Sequence, residues 1–496
     1  MSRNRVILVT AGIMFSLFLA SMEVTVVATA MPTIVGQLGG LEHYSWVFSA
    51  YMLTSTTVVP LYGKISDLYG RRFLYVFAMG LFLTGCVLAG QSQSMTQLIF
   101  ARALQGLGAG GIQPLTFIMI GEMFSLEQRA KMQGFFSGVW GVSSILGPLL
   151  GGFLVEQLSW RWVFYVNLIP GPISVALVAL AWRDALHARG KVNVDYLGAS
   201  LLTASVVSLL LGLFQLGSSA SWTSLGLALA LFAALLWVER RAADPILPLA
   251  LFRDRLFAAA NAHGILAGWA MFGSLSFIPL FVQSVLGTSA TQAGITLTPM
   301  LLGWVLASIV GTRLILVIGY RKLGVIGASL FVVGATLMAL VSADTGQASV
   351  MIFVTLMGVG MGLSMPALLI AVQTSVERRH LGAATSTLQF SRSMGGTLGV
   401  SVMGAALSAS LASALAASGL DLRLVDRLLD PLGPQVVADA GVRLALADAI
   451  HLVFVIAFAA AALSLVAVFF SPRVDLDDQS QSAPASPEDP VIAGMD

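Results

Sequence analysis

VILVTAGIMFSLFLASMEVTVVATAMPTIV, residues 6–35, is an almost unbroken run of apolar and small side chains. One carboxylate, Glu23, stands near its middle, and Pro32 follows nine residues later. The run exceeds the ~20 residues that carry a helix across the hydrocarbon core of a bilayer. Arg3 and Arg5 precede it, but it is too long for the apolar region of a signal peptide, so it reads as an uncleaved first span. An ionisable group inside a membrane helix costs at least ~2.5 kcal/mol on insertion scales, so it faces an internal cavity and does work there. The competing reading is a buried Glu paired for structure alone.

Composition extends this reading to the whole chain. Of 496 residues, 57% are hydrophobic and 10% charged, with mean hydropathy +0.89, whereas soluble domains carry about 25% charged residues. The expectation is an all-α integral membrane protein. Apolar windows fall at about 6–35, 45–63, 73–92, 96–121, 133–155, 162–182, 195–217, 222–239, 256–286, 290–312, 323–342, 347–375, 382–411 and 446–470, which predicts fourteen spans. Among the 26 Lys and Arg residues, only Arg161, Arg423, Arg427 and Arg443 fall on the side opposite the N-terminus, and Arg102 and Arg392 lie inside spans. The excess of positive charge on the other side places both termini in the cytoplasm. The single cysteine, Cys86, excludes an internal disulfide. No G-x-x-x-x-G-K-[ST] loop occurs, because Val58 and Ala185 stand where its first glycine would be, and hydrolase motifs are absent. An enzyme, an ATP-driven pump and a nucleic-acid-binding protein are not expected.

Two stretches differ in character. Residues 412–445 mix charges with leucines and break at Pro431 and Pro434, which suggests an external loop with short amphipathic helices. Residues 474–496 are acidic and rich in Ser and Pro, the composition of a disordered tail.

The connection after span 2 reads GKISDLYGRR, Gly63 to Arg72. Gly63 and Gly70 let two helices approach closely through a tight cytoplasmic turn, and Asp67 and Arg71 can pair with each other or with charges at neighbouring helix ends. This spacing resembles the signature loop of the major facilitator superfamily. Span 4 carries Leu98, Arg102, Gln105, Gly106 and Gly108 in a pattern that also matches. Span 5 carries Gly147, Pro148, Gly151 and Gly152, similar to the antiporter motif of proton-coupled exporters, with Ser143 where a glycine is usual. SMEVTVVATAMP in span 1 resembles the acidic signature of fourteen-span drug:proton antiporters, the EmrB/QacA-like family, with Glu in place of the commoner Asp. SWRWVFYVNLIPG (Ser159 to Gly171), Asp195 with Gly198, LFRDRLF, and Arg392 with Gly395, Gly396 and Gly399 extend the resemblance over residues 20–470.

The resemblance implies a major facilitator fold: a six-helix bundle over 1–182, two inserted spans over 183–255, and a second bundle over 256–473. It implies a cytoplasmic latch in which Glu122 joins Asp67 and Arg71, and proton coupling through Glu23. Arg102 must be balanced because a guanidinium stays charged; pairing with Glu23 and bonding to backbone carbonyls both remain open. Gln105 and the pair Gln389 and Arg392, on one helix face, are candidates for the substrate cavity. His263 reads as a helix-end histidine. The expected activity is export of lipophilic or amphiphilic drugs, cationic ones included, from the inner (plasma) membrane by a monomer that uses a proton gradient and no cofactor. Export of a lipid or other envelope component, and a non-transporting sensor or scaffold, are the alternatives.

Overall fold

In hydrocarbon a backbone amide has no water to bond, so an apolar run must satisfy its own N–H and C=O groups by coiling into a helix. A computed structural model describes residues 3–124, 126–183, 195–214, 219–242, 249–376, 381–418 and 440–472, and these contain helices and no strand. They are α1 (Arg3–Leu38), α2 (Tyr44–Tyr69), α3 (Arg71–Gly90), α4 (Met95–Met123), α5 (Leu126–Gln157), α6 (Trp162–Tyr165) and α7 (Pro170–Ala181). There follow α8 (Tyr196–Phe214), α9 (Ser219–Glu239), α10 (Arg255–Ser284), α11 (Ala290–Ile318), α12 (Tyr320–Ala339), α13 (Gln347–Ser375), α14 (Leu381–Ser418) and α15 (Ala440–Phe469). Among the described residues, eleven stretches are long and apolar enough to cross a membrane. Most of the 412–445 loop, the linkers at 184–194 and 243–248, and the tail from 473 lie outside the described residues.

The helices pack as two groups. In the first, α1 lies against α5 and α7, and α4 lies between α2 and α3. In the second, α10 lies against α14 and α15, and α13 lies against α11 and α12. A hairpin of α8 and α9 covers the place where α2 meets α14, burying Leu202, Val206, Leu210 and Leu235 against Leu53 and Met394. The two groups share a local device. Gly70 opens α3 at φ 91°, ψ 150°, and Gly319 opens α12 at φ 77°, ψ 156°. Only glycine enters that region without strain, so each short turn between the second and third helices of a group depends on it.

The two groups touch along two seams that begin at the end of the molecule opposite the termini. On one seam, Tyr44 donates to the Ser276 carbonyl at 2.6 Å and stacks on Phe277. The Ser49 and Ser401 hydroxyls bond at 2.6 Å, and a side chain at Gly396 would strike Met52. On the other seam, the Thr291 N–H donates to Glu156 at 2.8 Å, Gly152 sits on the Thr291 backbone, and Gly141 faces Val305. Glu156 lies beyond its span, at the end of α5. Burial pushes its carboxyl up, but hydrogen bonds from Ser289 and from the Thr291 N–H and hydroxyl outweigh this and hold it below the usual value. The ionised contact therefore supports closure at neutral pH and is lost only as pH falls through that lowered value. Both seams run from the far end to the middle of the helices, so the face opposite the termini is closed.

Candidate functional site

α4 is wedged into place by glycines. A side-chain carbon at Gly106 would strike Thr54 and the Tyr51 carbonyl, and one at Gly108 would strike Ala78 and Phe82. This close approach sets the neighbouring Arg102 deep in the first bundle, fully buried beside Glu23 on α1, which is 1% exposed. Arg102 Nη1 donates to Glu23 Oε1 at 2.5 Å and to Gln105 Oε1 at 2.5 Å, and its Nε donates to the Val47 carbonyl at 3.2 Å. The guanidinium lies 4.2 Å from the Tyr51 ring centroid. Of the two possibilities open from sequence, the structure therefore takes both: Arg102 pairs with Glu23 and also holds a carbonyl.

Asn167, overlooked in the sequence analysis as a site residue, completes the cluster. Its Nδ2 donates to Glu23 Oε2 at 2.9 Å. It lies in the 3₁₀ turn Val166–Leu168, which breaks span 6 between α6 and α7. Pro170 stands two residues after the turn and opens α7, and it lacks the N–H that would carry the hydrogen-bond ladder through the break. The legible signal was a lone amide in the apolar run FYVNLIPG. Gln105, expected on the cavity wall, is fully buried here and bonds Cys86 Sγ at 3.1 Å. Cys86 is likewise buried and free.

The span-5 motif is two-sided. A side-chain carbon at Gly147 would strike Thr25 Oγ1, and one at Gly151 would strike Thr29 Oγ1 and the Val26 backbone, so this face presses α5 onto the helix that carries Glu23. On the other face, Gly152 meets Thr291, and the Pro148 carbonyl meets Gly294 of α11 in the second bundle. One helix thus touches the acid-bearing helix and the opposite bundle at the same level.

The sequence profile described as Major Facilitator Superfamily matches residues 13–400. The chain belongs to this superfamily. Among its relatives, "Multidrug transporter protein MdtP" of Bacillus subtilis is 40% identical over 412 residues, covering 82% of this chain and 76% of that one. "Multidrug resistance protein 3" of the same organism is 37% identical over 451 residues, covering 89% and 88%. Among solved structures, a bacterial homologue of the human lysosomal transporter Spinster superposes with a TM-score of 0.69 at 15% identity. It covers 95% of this chain and 98% of that one, a likeness of fold.

The other residues expected to matter in this superfamily member fall in three places. Arg71 Nε donates to Glu122 at 2.9 Å, joining the start of α3 to the end of α4, and Gly70 makes the turn. Arg72 begins the same helix. Gly63, expected at the turn, lies instead within α2, whose helix runs on to Tyr69, so Gly70 alone makes the turn; the side chain of Asp67 lies outside the described residues. Gln389 and Arg392 are half-buried on α14. His263, read from sequence as a helix-end histidine, is instead fully buried, with Nε2 3.2 Å from Ser364 Oγ and Nδ1 3.4 Å from the Ser464 carbonyl. The correction has a plain cause: α10 packs against both α13 and α15 at that depth.

The span-5 contact makes a direct prediction. Gly151→Leu forces four carbons into the Thr29 contact, and overpacking of this kind costs about 1–3 kcal/mol. Thermal unfolding of the purified protein should show a lower midpoint for Gly151→Leu. Gly138→Leu, on the same helix with nothing within 4 Å of its added carbon, should match wild type. Equal midpoints for all three would mean that α5 does not pack on α1 as described.

Proposed function

We propose that this protein is a proton-coupled antiporter that exports lipophilic and amphiphilic compounds from the cytoplasm or inner leaflet. In this reading it is a monomer with fourteen spans, in the EmrB/QacA-like branch of the superfamily, residing in the plasma membrane with both termini cytoplasmic. Helices cover each of the fourteen apolar windows, α2, α5 and α8 among them. The Lys and Arg distribution supports the orientation. Relatives named as multidrug transporters support the efflux role.

The observation that carries the reading is the Glu23–Arg102–Asn167 cluster on a helix gripped by the span-5 motif. Glu23 is the proton carrier. Ionised, it is held by Arg102 and by the Asn167 amide. Protonated, it releases the guanidinium, and Asn167, whose Oδ1 has no partner among the described residues, can turn its amide to accept from the new O–H. α5 passes the change in α1 to α11, because Gly147 and Gly151 face one and Pro148 and Gly152 face the other. The conformation described, closed at the face opposite the termini, is the state that takes substrate from the cytoplasm. Alternating access then rocks one bundle against the other.

The driving force suffices. A 100 mV potential supplies about 2.3 kcal/mol per proton and one pH unit about 1.4 kcal/mol. Their sum, ~3.7 kcal/mol, sustains roughly a 500-fold gradient of a neutral substrate at one-to-one coupling. Proteoliposomes holding the purified protein should expel Hoechst 33342 when a pH gradient is imposed and stop when an uncoupler collapses it. Dye movement that ignores the gradient would overturn antiport.

A further inference from the structure

The second bundle carries an interior cation that the proton-coupling cluster does not use. Arg392 lies on α14, and its guanidinium reaches the Trp304 ring of α11, 5.9 Å from the centroid. α14 and α11 are the helices of the second bundle that pack most extensively on the first, against α2 and α5 respectively, while α10 touches α1 and, through Ser276, Tyr44. A side chain that stretches from one to the other crosses the face this bundle turns toward the first. Its level is also defined. Arg392 lies one turn nearer the termini than Gly396, which meets Met52 in the closed seam. It therefore lies directly beneath the closure.

Arg392 makes no hydrogen bond and no ion pair with any described residue, and its Nε is buried without a partner. A guanidinium stays protonated, and an unbalanced charge at this depth is costly. Arg102, the other interior arginine, is balanced by Glu23. Glu23 is the one carboxylate buried among the described residues of α1–α7 and α10–α15, so none is left for Arg392. Gln389, a turn nearer the termini on the same face, also makes no hydrogen bond to a described residue.

We propose that Arg392, with Trp304 beside it and Gln389 below, forms a subsite for the acidic head of an amphiphilic substrate. The inference rests on the exporter reading and specifies its substrate class. The planar guanidinium matches a carboxylate, sulfonate or phosphate through paired N–H donors, and Trp304 offers an apolar wall for the adjoining ring or chain. Cationic drugs were among the expected substrates, but the one buried carboxylate described in the bundles, Glu23, already has its charge met by Arg102. The charge left to a ligand is positive, and it selects anions.

Two probes isolate the head group: 8-anilinonaphthalene-1-sulfonate, and N-phenyl-1-naphthylamine, which has the same rings and no charge. In proteoliposomes under one imposed pH gradient, wild type should export both. Arg392→Gln should slow the sulfonate at least tenfold and change the neutral probe less than twofold, while Arg392→Lys keeps an intermediate sulfonate rate. Equal losses for both probes would overturn the subsite and leave the exporter reading standing, as would no loss for either. Protein-dependent binding of the sulfonate in nanodiscs needs no transport and decides the case if wild type exports neither probe. Weaker binding to Arg392→Gln than to wild type then sustains the subsite while the exporter reading fails, and equal binding overturns it. Should Arg392→Gln not fold, Gln389→Ala takes its place with the same expectations. A parallel arm with a fluorescent short-chain phosphatidic acid identifies the source of the head. Arg392-dependent movement of the lipid, without that of the sulfonate, places the acidic group on a membrane lipid.

Discussion

Replacing Glu23 by Gln should abolish the proposed gradient-driven export and leave the fold intact. The amide has the size of the carboxylate and still offers Arg102 an oxygen at the position now 2.5 Å from Nη1. Only the contact with Asn167 must change, because Gln brings a donor to face the Asn167 Nδ2 donor, and turning one amide resolves it. What Gln cannot do is exchange a proton. The substrate gradient, roughly 500-fold at one-to-one coupling under 100 mV and one pH unit, should collapse to unity in the mutant. Counterflow of substrate with no proton gradient should persist. Glu23→Asp keeps a titratable group one methylene shorter and should retain part of the coupling. Measuring substrate on both sides of the vesicle membrane at steady state checks this, and a Glu23→Gln protein that still concentrates substrate would remove Glu23 from the proton path.

Arg102→Met should be the most destabilising single change in the first bundle. It removes the cation and leaves a buried carboxylate, and breaking one partner of a buried pair in this way costs about 3–5 kcal/mol. Gln105 also loses the donor to its Oε1, and the Val47 carbonyl loses its side-chain partner. Adding Glu23→Gln to Arg102→Met removes the stranded charge, so the double mutant should recover most of the lost stability while remaining inactive. Thermal unfolding of wild type, both single mutants and the double mutant gives the coupling directly. If Arg102→Met unfolds with wild type, the pair does not hold the bundle together, and the charge balance at Glu23 must come from elsewhere. Recovery of transport in the double mutant would be equally damaging, because it would detach coupling from Glu23.

Much of this was readable before any coordinates. A span of hydrocarbon width allows only a helix, so hydropathy and the Lys and Arg pattern lead to the helical membrane fold. Glu23 and Arg102 stand out because charge inside a span is rare and expensive. Gly70 stands out because a two-helix turn that tight needs a positive φ, which the structure shows at 91°. The span-5 glycines pointed to close packing, but not to which neighbours. Asn167 and Gln105 were harder to place. An uncharged amide can be satisfied by many partners, so its role depends on what lies across the bundle, 144 residues away along the chain in the case of Asn167 and Glu23.

The sequence by itself determined that the chain is a bundle of membrane helices, the superfamily it resembles, and which side chains carry charge into the interior. Each of those follows from local chemistry, the cost of burying a polar group read one span at a time. Pairing was decided by tertiary structure alone. Glu23 meets Arg102 because glycines draw α4 between its neighbours, Asn167 joins them because span 6 breaks before Pro170, and Arg392 is left without an acid among the described residues. Coulomb and hydrogen-bond energies depend on distances across the bundle, and only packing sets those distances.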